Sequence, residues 1–364
     1  MSDEVWTIQA ALDWCRSYLE RKGDENPRLS AEWLLCEACH MRRVELYVSF
    51  ERPLSPDERA TLRDWVARRG AGEPLQYITG EVAFRHIAVK VREGVLIPRP
   101  ETEVLVSEAL ALLPAPERRR ALDSTLTVDE FEELQAEAAA KADLEASGVV
   151  DGALPGQDGA RGVGDEVERV ADATIEASHE EADSSCDDVL YVADICTGSG
   201  CIACSIAFEN PKTRVLACDI APEAIALAKE NVAALNLEKH VAVLKGDLGA
   251  PVGDRFMGKL SLVVSNPPYI PTQVLDSMPT EVTEHEPELA LDGGCDGLDL
   301  YRPLATWAIR ALAAGGGFAV ELHETCLDAA ATFAESCGFT DVRIVDDLAG
   351  RPRVLTARKP NVVA

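Results

Sequence analysis

Short apolar runs alternate with helical segments through the second half of the chain, and this alternation constrains the fold more than any other feature. The runs are DVLYVADIC, TRVLACDI, HVAVLKGDL, KLSLVVSN and GGFAVELH, each too short for a helix and typical of a strand buried on both faces. Amphipathic segments such as PEAIALAKENVAALNL lie between them. The pattern predicts an α/β domain over residues 188–364, with a parallel sheet covered by helices on both faces. The last stretch, DVRIVDDLAGRPRVLTARK, predicts two strands around a turn at an antiparallel edge.

Different kinds of sequence precede this domain. Residues 1–72 carry apolar side chains at helical spacing, and Ser55, Pro56 and Glu58 form a helix start signal, so we predict a small helical domain. Residues 73–99 alternate with period two and predict a β-hairpin linker. Residues 100–114 predict the first helix of the α/β domain.

Residues 115–187 differ from the rest of the chain. They are rich in Ala, Gly, Asp and Glu, nearly free of aromatic side chains, and carry about half of the chain's net charge of -28. Such a composition buries too little apolar surface to offset the entropy of ordering. We predict an acidic, disordered insertion, which the flanking fold tolerates because the cost of loop closure grows slowly with length.

Charge and cysteine content limit the classes of function. A net charge of -28 argues against a large nucleic-acid interface, which needs clustered Lys and Arg. The first residues, MSDEVWTIQA, lack the features of a secretory signal, and no apolar run is long enough to span a membrane. Eleven cysteines without a signal are expected to be reduced thiols. We therefore expect a cytoplasmic protein that binds neither nucleic acid directly nor membranes.

Three strand ends carry candidate cofactor residues. DICTGSG, residues 194–200, is a glycine-rich turn that lets backbone N–H groups approach a ligand, although it matches neither the GxGxxG fingerprint nor a P-loop. Asp219, about 20 residues further on, could accept both hydroxyls of a ribose or cap the helix that starts near Pro222. Asp247 could accept from an adenine amino group or lie in a surface turn. Together they predict a nucleoside-bearing cofactor across the strand ends.

The tetrapeptide NPPY, residues 266–269, follows the fourth buried run. Proline restrains its own φ and the residue before it, so Asn266 should be held stiffly where the strand ends. The side-chain oxygen of Asn266 and the carbonyl of Pro267 would then be two fixed acceptors, which suit the two donors of a planar NH₂ group, with Tyr269 packed over it. The electrophile implied is the methyl group of S-adenosylmethionine. A proline-stiffened turn is the alternative.

Two cysteine patterns could indicate other chemistry. CEACH, residues 36–40, matches the C-x-x-C-H haem-attachment string, but it lies within a helical pattern, which favours core packing. Cys196, Cys201 and Cys204 are spaced like metal ligands, yet no second cluster completes a site. We predict no metal.

Several motifs carry a family resemblance. DICTGSG, CDIAPEAIALAKENV, GDL and VSNPPYIP resemble those of class I S-adenosylmethionine-dependent methyltransferases. PLQYITGEVAF, VLIPRPETEVLV, EPELALDGGCDGLDLYR and DLAGRPRVL resemble, more narrowly, the release factor glutamine N5-methyltransferase (HemK/PrmC) family. The resemblance is loose at first, close from Pro74 to residue 114, and close again over 188–359. It implies a Rossmann-like core with a mostly parallel seven-stranded sheet and an antiparallel edge strand, and methylation of the side-chain amide of the glutamine in the Gly-Gly-Gln motif of peptide chain release factors. We expect the chain to be a monomer.

The resemblance also implies roles for individual residues. The cofactor loop would be formed by Cys196, Thr197, Gly198, Ser199 and Gly200; Asp219 would hold the ribose, Leu248 would flank the adenine, and Asn266 would lie near the methyl donor. The glutamine would be received by Asn266, Pro267, Pro268 and Tyr269, and Arg99, Glu101 and Glu103 would help close the site. The N-terminal helices would bind the release factor.

The chain departs from the family in two places, and other activities stay open. The acidic insertion interrupts a passage that is usually short, and His323 stands where the family usually has glycine. Alternative substrates are a ribosomal-protein glutamine and the N6 amino group of adenine in DNA. A non-catalytic cofactor-binding protein is the alternative from another class.

Overall fold

The computed structural model describes residues 6–113, 189–275, 278, 280–283 and 285–361, so the predicted insertion at 115–187 lies outside the described residues. The helices are α1 (Ile8–Lys22), α2 (Pro27–Ala38), α3 (Arg43–Val48), α4 (Pro56–Arg69), α5 (Leu75–Thr79), α6 (Pro100–Leu112), α7 (Cys201–Glu209), α8 (Pro222–Ala234), α9 (Thr272–Leu275), α10 (Thr280–Thr283), α11 (Tyr301–Ala311) and α12 (Leu327–Ser336). The strands are β1 (Glu81–Phe84), β2 (Ile87–Lys90), β3 (Leu190–Ile195), β4 (Thr213–Asp219), β5 (Val241–Lys245), β6 (Leu260–Ser265), β7 (Leu312–Glu321), β8 (Thr340–Asp346) and β9 (Pro352–Arg358).

The predicted N-terminal helical region is confirmed. Helix α4 starts as its sequence predicts: the Ser55 hydroxyl accepts from the Glu58 N–H at 3.1 Å, and the Glu58 carboxylate accepts from the Ser55 N–H at 2.7 Å. The helical region continues past residue 72, because Ile78 of α5 packs into the same apolar core as α1, α2 and α4. The range 73–99 is therefore helical at its start, where the sequence predicted a hairpin.

The predicted hairpin is confirmed, but it is shorter than its predicted range. Strands β1 and β2 pair antiparallel, with Phe84 opposite Ile87. Gly80 ends α5 in the left-handed region, so extended backbone starts only after it. At the tip, the Arg85 guanidinium donates to the carboxylate of Glu209 at the end of α7, which fastens the hairpin to the α/β domain.

The α/β domain contains a seven-stranded sheet in the order β5-β4-β3-β6-β7-β9-β8. Strands β5, β4, β3, β6 and β7 are parallel to one another, as the apolar runs predict. All residues of β3 and β6 are buried. Helices α6, α7 and α8 cover one face, and α11 and α12 cover the other.

The last two strands form the predicted antiparallel pair at one edge. Strand β9 runs against both β7 and β8, and β8 is the outermost strand. The residue patterns explain this order. Strand β9 has the consecutive buried residues Arg353–Ala357, whereas every residue of β8 is exposed or half-buried.

The strand order reverses beside β3, and this reversal places the functional site. Strand β4 follows on one side of β3 and β6 on the other, so the carboxyl ends of β3, β4 and β6 border one crevice. In open α/β sheets, ligands bind at such a switch point. No helix in the described parts of the chain is both long and apolar enough to cross a bilayer.

Gly200 gives a testable consequence of the packing between α7 and α8. It precedes α7 with φ +80°, and a Cβ added there would lie 3.2 Å from the Cβ and 3.3 Å from the Cα of Ala228. Gly258 has φ +76° with no atom within 4 Å of an added Cβ in the described structure, so it is a matched control. We expect Gly258→Ala to lower the free energy of unfolding by about 1 kcal/mol, from backbone strain alone.

Gly200→Ala should cost about 1 kcal/mol more than Gly258→Ala, because it adds a close contact to the same backbone strain. Urea unfolding of both variants measures the difference. Equal losses would mean that α7 and α8 separate readily to admit a methyl group.

Candidate active site

The turn between β3 and α7 is held by a buried carboxylate. Asp194 accepts from the Thr197 hydroxyl at 2.6 Å and from the Ala203 N–H at 3.1 Å. Burial raises the pKa of Asp194 to about 7, against the lowering effect of these two hydrogen bonds. Cys196 has φ +60° and Gly198 φ +55°, so the turn uses left-handed backbone at both residues. Asp194 thus shapes the turn from beneath.

The predicted cofactor loop borders a cavity at the strand ends. Cys196, Thr197, Gly198 and Ser199 all line it. Gly200 is not among the lining residues of the described structure; it lies behind them and packs against Ala228. The loop therefore presents four of the five predicted residues to the cavity, and the fifth supports them.

Asp219 lies where β4 ends and also lines the cavity. One carboxylate oxygen accepts from the Gly198 N–H at 2.8 Å and the other from the Ala221 N–H at 3.0 Å. Each oxygen keeps further acceptor capacity, because a carboxylate oxygen has more than one lone pair. Burial raises the pKa of Asp219, and these backbone donors oppose the rise. The carboxylate thus fixes the Gly198 loop and can still accept from a ligand.

The end of β5 supplies the next part of the wall. Asp247 and Leu248 line the cavity, Asp247 exposed and Leu248 half-buried against the core. Asp219, Asp247 and Glu223 give this part of the cavity an acidic lining. Such a lining favours a ligand with positive charge.

The NPPY segment follows β6 and is tied into the core by hydrogen bonds. The Asn266 Nδ2 donates to the Thr102 hydroxyl at 3.2 Å, and that hydroxyl donates to Glu321 Oε2 at 2.7 Å. The Tyr269 hydroxyl donates to Glu321 Oε1 at 3.0 Å. Asn266 and Pro268 line the cavity, Pro267 is buried and Tyr269 is half-buried.

Two acceptors of this segment stay available. Within the described residues, no donor lies at hydrogen-bond distance from the Asn266 Oδ1 or the Pro267 carbonyl oxygen. Both belong to adjacent residues at the end of one strand. They can therefore receive a group with two N–H donors, as an NH₂ group has.

The structure separates the predicted residues of the PRPETE motif. Arg99 lines the cavity and pairs with Glu286. Glu101 instead accepts from Arg351 at 3.2 Å, and Glu103 accepts from the Arg85 N–H at 3.1 Å. Neither Glu101 nor Glu103 is among the cavity-lining residues of the described structure, so their expected part in closing the site stays a prediction.

Thr102 was missed in the sequence, although a signal for it exists. It shares the buried stripe of α6 with Leu105, Val106 and Ala109, the i, i+3, i+4, i+7 spacing of a core-facing surface. A hydroxyl at a core position needs a partner. Glu321 was missed as well, and its signal is an acid within the apolar run GGFAVELH.

Asn231 of α8 is a further residue that sequence reasoning missed. Its Oδ1 accepts from the Lys90 N–H at 2.8 Å, and its Nδ2 donates to the carbonyls of Lys90 at 3.0 Å and Ser199 at 2.9 Å. Asn231 is buried and thus joins β2 of the hairpin to the cofactor loop. Only the tertiary structure brings these three segments together.

The segment that follows α10 supplies another part of the cavity wall. Pro287, Leu289 and Ala290 line it. Glu286 is buried and accepts from the Ile97 N–H at 3.3 Å as well as from Arg99. This pairing joins two of the sequence motifs, VLIPRPETEVLV and EPELALDGG, beside the cavity that Arg99 lines.

The cysteine patterns are accounted for by packing. Cys39 is buried in the N-terminal core and Cys36 packs against it. Cys201 and Cys204 belong to α7 and are buried in the core on one face of the sheet, and Cys196 packs against the core on the other face. In the described ranges, no group of three or more His, Cys, Asp or Glu side chains is arranged to hold a metal ion.

Comparisons with known proteins bear on the family of the chain. The model of the PrmC N-terminal domain matches residues 10–80, and the model of the methyltransferase small domain matches residues 184–285. The release factor glutamine methyltransferase of Geobacter sulfurreducens is 37% identical over 358 residues, 98% of each chain. That of Rhodopirellula baltica is 32% identical over 98% of both chains. That of Caulobacter vibrioides is also 32% identical, over 97% of this chain and 96% of the relative.

The buried Asp194 predicts a pH dependence of stability. Its pKa is about 7 in the fold and 3.8 when unperturbed, so the folded protein binds the proton more tightly. Stability from this group is therefore complete below the unperturbed pKa and falls as the pH rises toward 7. Asp194→Asn removes this titration and keeps an acceptor for Thr197.

We expect the free-energy difference between wild type and Asp194→Asn to shift against wild type by on the order of 2 kcal/mol from about pH 5 to about pH 8. Urea unfolding at both pH values measures it. A difference that is constant, or that shifts in favour of wild type, contradicts the assignment of the raised pKa to Asp194.

Proposed function

The chain belongs to the release factor glutamine methyltransferase family, and from this premise we propose that it methylates the side-chain amide nitrogen of the glutamine in the Gly-Gly-Gln motif of a peptide chain release factor, with S-adenosyl-L-methionine as methyl donor. The observation that carries the proposal is the pair of available acceptors, Asn266 Oδ1, whose residue lines the cavity, and the carbonyl of the adjacent, buried Pro267. A glutamine amide has the two N–H donors that such a pair requires.

The residues at the three other strand ends fit the cofactor. Asp219 would accept from the ribose hydroxyls, since its oxygens keep lone pairs beyond those that accept from the Gly198 and Ala221 N–H groups. The backbone of Cys196–Ser199 would hold the amino-acid end, and Asp247 and Leu248 would flank the adenine. The acidic lining suits the positive charge of a sulfonium. When bound, the cofactor supplies an electrophilic methyl group on that sulfur.

The protein's own contribution to the reaction is orientation and electron density. An amide nitrogen is a weak nucleophile because its lone pair is delocalised into the carbonyl. The Asn266 Oδ1 and the Pro267 carbonyl accept hydrogen bonds from the two N–H groups of the amide. These bonds raise the electron density on nitrogen and turn the face of the amide toward the methyl group. The cofactor, held by Asp219 and the backbone of Cys196–Ser199, would supply the methyl group and keep the C–S bonding pair on sulfur, and the glutamine nitrogen would release one proton to water after its new N–C bond has formed.

We propose that the N-terminal helices bind the release factor. Leu29 of α2 and Val44 and Val48 of α3 are large apolar side chains that are exposed there. Exposed apolar groups of this kind are typical of protein–protein contacts. The α/β domain would then receive only the glutamine loop of the bound partner.

One experiment tests the proposal directly. The full-length chain is incubated with isotope-labelled S-adenosyl-L-methionine and a purified release factor, and the modified residue is mapped by mass spectrometry. We expect one methyl group on the glutamine of the Gly-Gly-Gln motif. Label on a ribosomal protein or on adenine in DNA, with none on the release factor, would replace this substrate with another; cofactor binding without any transfer would reduce the chain to a binding protein.

Asn266→Ala tests the acceptor pair. Removal of one preorganised hydrogen-bonding group at a reacting centre typically costs at least about a hundredfold in turnover. We expect such a loss in methyl transfer, with the dissociation constant of S-adenosyl-L-methionine changed much less, because Asp219 and the loop remain. Stopped assays of transfer and calorimetry of cofactor binding measure the two quantities.

Asn210→Ala is the matched control for this variant. Asn210 lies at the amino end of β4, away from the cavity, where its Oδ1 accepts from the Lys212 N–H at 3.2 Å. We expect unchanged turnover there. Near-normal transfer by Asn266→Ala would remove Asn266 from the chemistry.

A further inference from the structure

We propose that Glu321, acting through the Thr102 hydroxyl, is a positioning residue that orients and polarises the Asn266 amide for methyl transfer. The inference rests on the proposed function and deepens it. The evidence is a continuous line of hydrogen bonds from Glu321 to Thr102 to Asn266, between the end of β7, the first turn of α6 and the end of β6.

The direction of each hydrogen bond follows from chemistry. An ionised carboxylate can only accept, so the Thr102 hydroxyl must donate its one proton to Glu321. The hydroxyl then has only lone pairs left for Asn266. The Nδ2 side of the Asn266 amide must therefore face Thr102, which leaves Oδ1 as the free acceptor.

The reverse orientation of the amide is unfavourable. It would place Oδ1 of Asn266 against a Thr102 oxygen whose proton is already used. It would also turn the donor Nδ2 toward the NH₂ group of the substrate glutamine. Two donors would then face each other without an acceptor. The carboxylate thus selects the orientation of Asn266 that accepts from the substrate.

The second oxygen of Glu321 serves the other end of the same tetrapeptide. It accepts from the Tyr269 hydroxyl at 3.0 Å, so one carboxylate holds residues on both sides of the two prolines. Glu321 is 1% exposed and Thr102 2%. Burial raises the pKa of Glu321 above its ordinary value, and the donors Thr102 and Tyr269 and the charge of Arg353 oppose this rise without cancelling it.

The negative charge has a second effect, on electron density. Hydrogen bonds in series polarise one another, so the charge of Glu321 makes Asn266 Oδ1 a stronger acceptor. As the methyl group transfers, positive charge grows on the glutamine nitrogen. Stabilisation that grows with that charge raises kcat and has little effect on substrate binding.

A purely structural role of the Glu321–Thr102–Asn266 hydrogen bonds would give a different pattern of turnover among variants of residue 102. If the network only packed α6 against the sheet, a near-isosteric apolar residue at 102 would serve as well as threonine. Thr102→Val removes the hydroxyl and keeps the shape, whereas Thr102→Ser keeps the hydroxyl and removes a methyl group. The two variants separate hydrogen bonding from packing.

The first test measures kcat and KM with the release factor as substrate. We expect Thr102→Val and Glu321→Gln each to lower kcat about 10- to 100-fold with KM and cofactor affinity little changed, and Thr102→Ser to retain most of the rate. The double variant should be no slower than the slower single variant, because both changes break one line of bonds. The two Thr102 variants carry the test alone if replacement of the buried acid prevents folding.

Thr356→Val is the matched control. Thr356 of β9 is also buried, and its hydroxyl has no hydrogen-bond partner in the described part of the chain. The same substitution there should leave kcat unchanged. Equal rates for Thr102→Val and wild type, or equal losses for Thr102→Val and Thr102→Ser, would overturn the inference.

The second test needs no substrate, so it separates this inference from the proposed function. In protein labelled with ¹⁵N-asparagine, the side-chain NH₂ signal of Asn266 is identified by its absence in Asn266→Ala. We expect one proton of this group to be protected from exchange in wild type and Thr102→Ser and unprotected in Thr102→Val. Protection that persists in Thr102→Val refutes the network; protection lost as expected, with no methylation of any release factor by wild type, refutes only the substrate.

Discussion

The carboxylate of Glu321 is the interaction on which the site depends. An acid that is almost completely buried costs free energy unless donors surround it, and here the donors are Thr102 and Tyr269, from segments more than 160 residues apart in sequence. The fold therefore stabilises Glu321 only when α6, β6 and β7 meet correctly. The same condition orients Asn266. Correct assembly of the core and correct orientation of the site are thus one physical requirement.

The cofactor loop and the end of β5 each hold one of the six non-glycine residues with left-handed backbone in the described part of the chain. Cys196, with φ +60°, and Leu248, with φ +45°, are both non-glycine residues in the left-handed region, and both line the cavity. Such conformations persist only where the surroundings enforce them. At Cys196 the surroundings include the Thr197 N–H donating to the Cys218 carbonyl at 3.0 Å and the buried Asp194 beneath the turn. The loop is accordingly preformed.

Sequence patterns predicted the strands and the residues at the strand ends, because these depend on the local succession of apolar and polar residues. Parallel strands align their carboxyl ends, so Asp219 and Asn266 could be placed at one crevice from the positions of apolar runs alone. Residues on helices were harder to predict, since a motif such as PRPETE does not say which face is buried. Glu101 and Glu103 attract attention as acids but pair outside the cavity, whereas Thr102 between them faces the core. Contacts between distant segments, such as that of Asn231 with Lys90 and Ser199, had no sequence signal.

The two acceptors, Asn266 Oδ1 and the Pro267 carbonyl, differ in how strongly the backbone restrains them. This difference explains why the hydrogen bonds from Glu321 through Thr102 end at Asn266. The carbonyl of Pro267 belongs to a backbone whose freedom is already restricted by its own ring and by Pro268. The amide of Asn266 can still rotate about its side-chain bonds, and its two ends differ in chemistry but hardly in shape. The neighbouring prolines cannot decide which end of the amide faces the substrate. The Thr102 hydroxyl can, because it donates its proton to Glu321 and therefore accepts only from Nδ2. The line of bonds from Glu321 therefore ends at Asn266, the one acceptor of the pair that backbone restraint leaves free to turn.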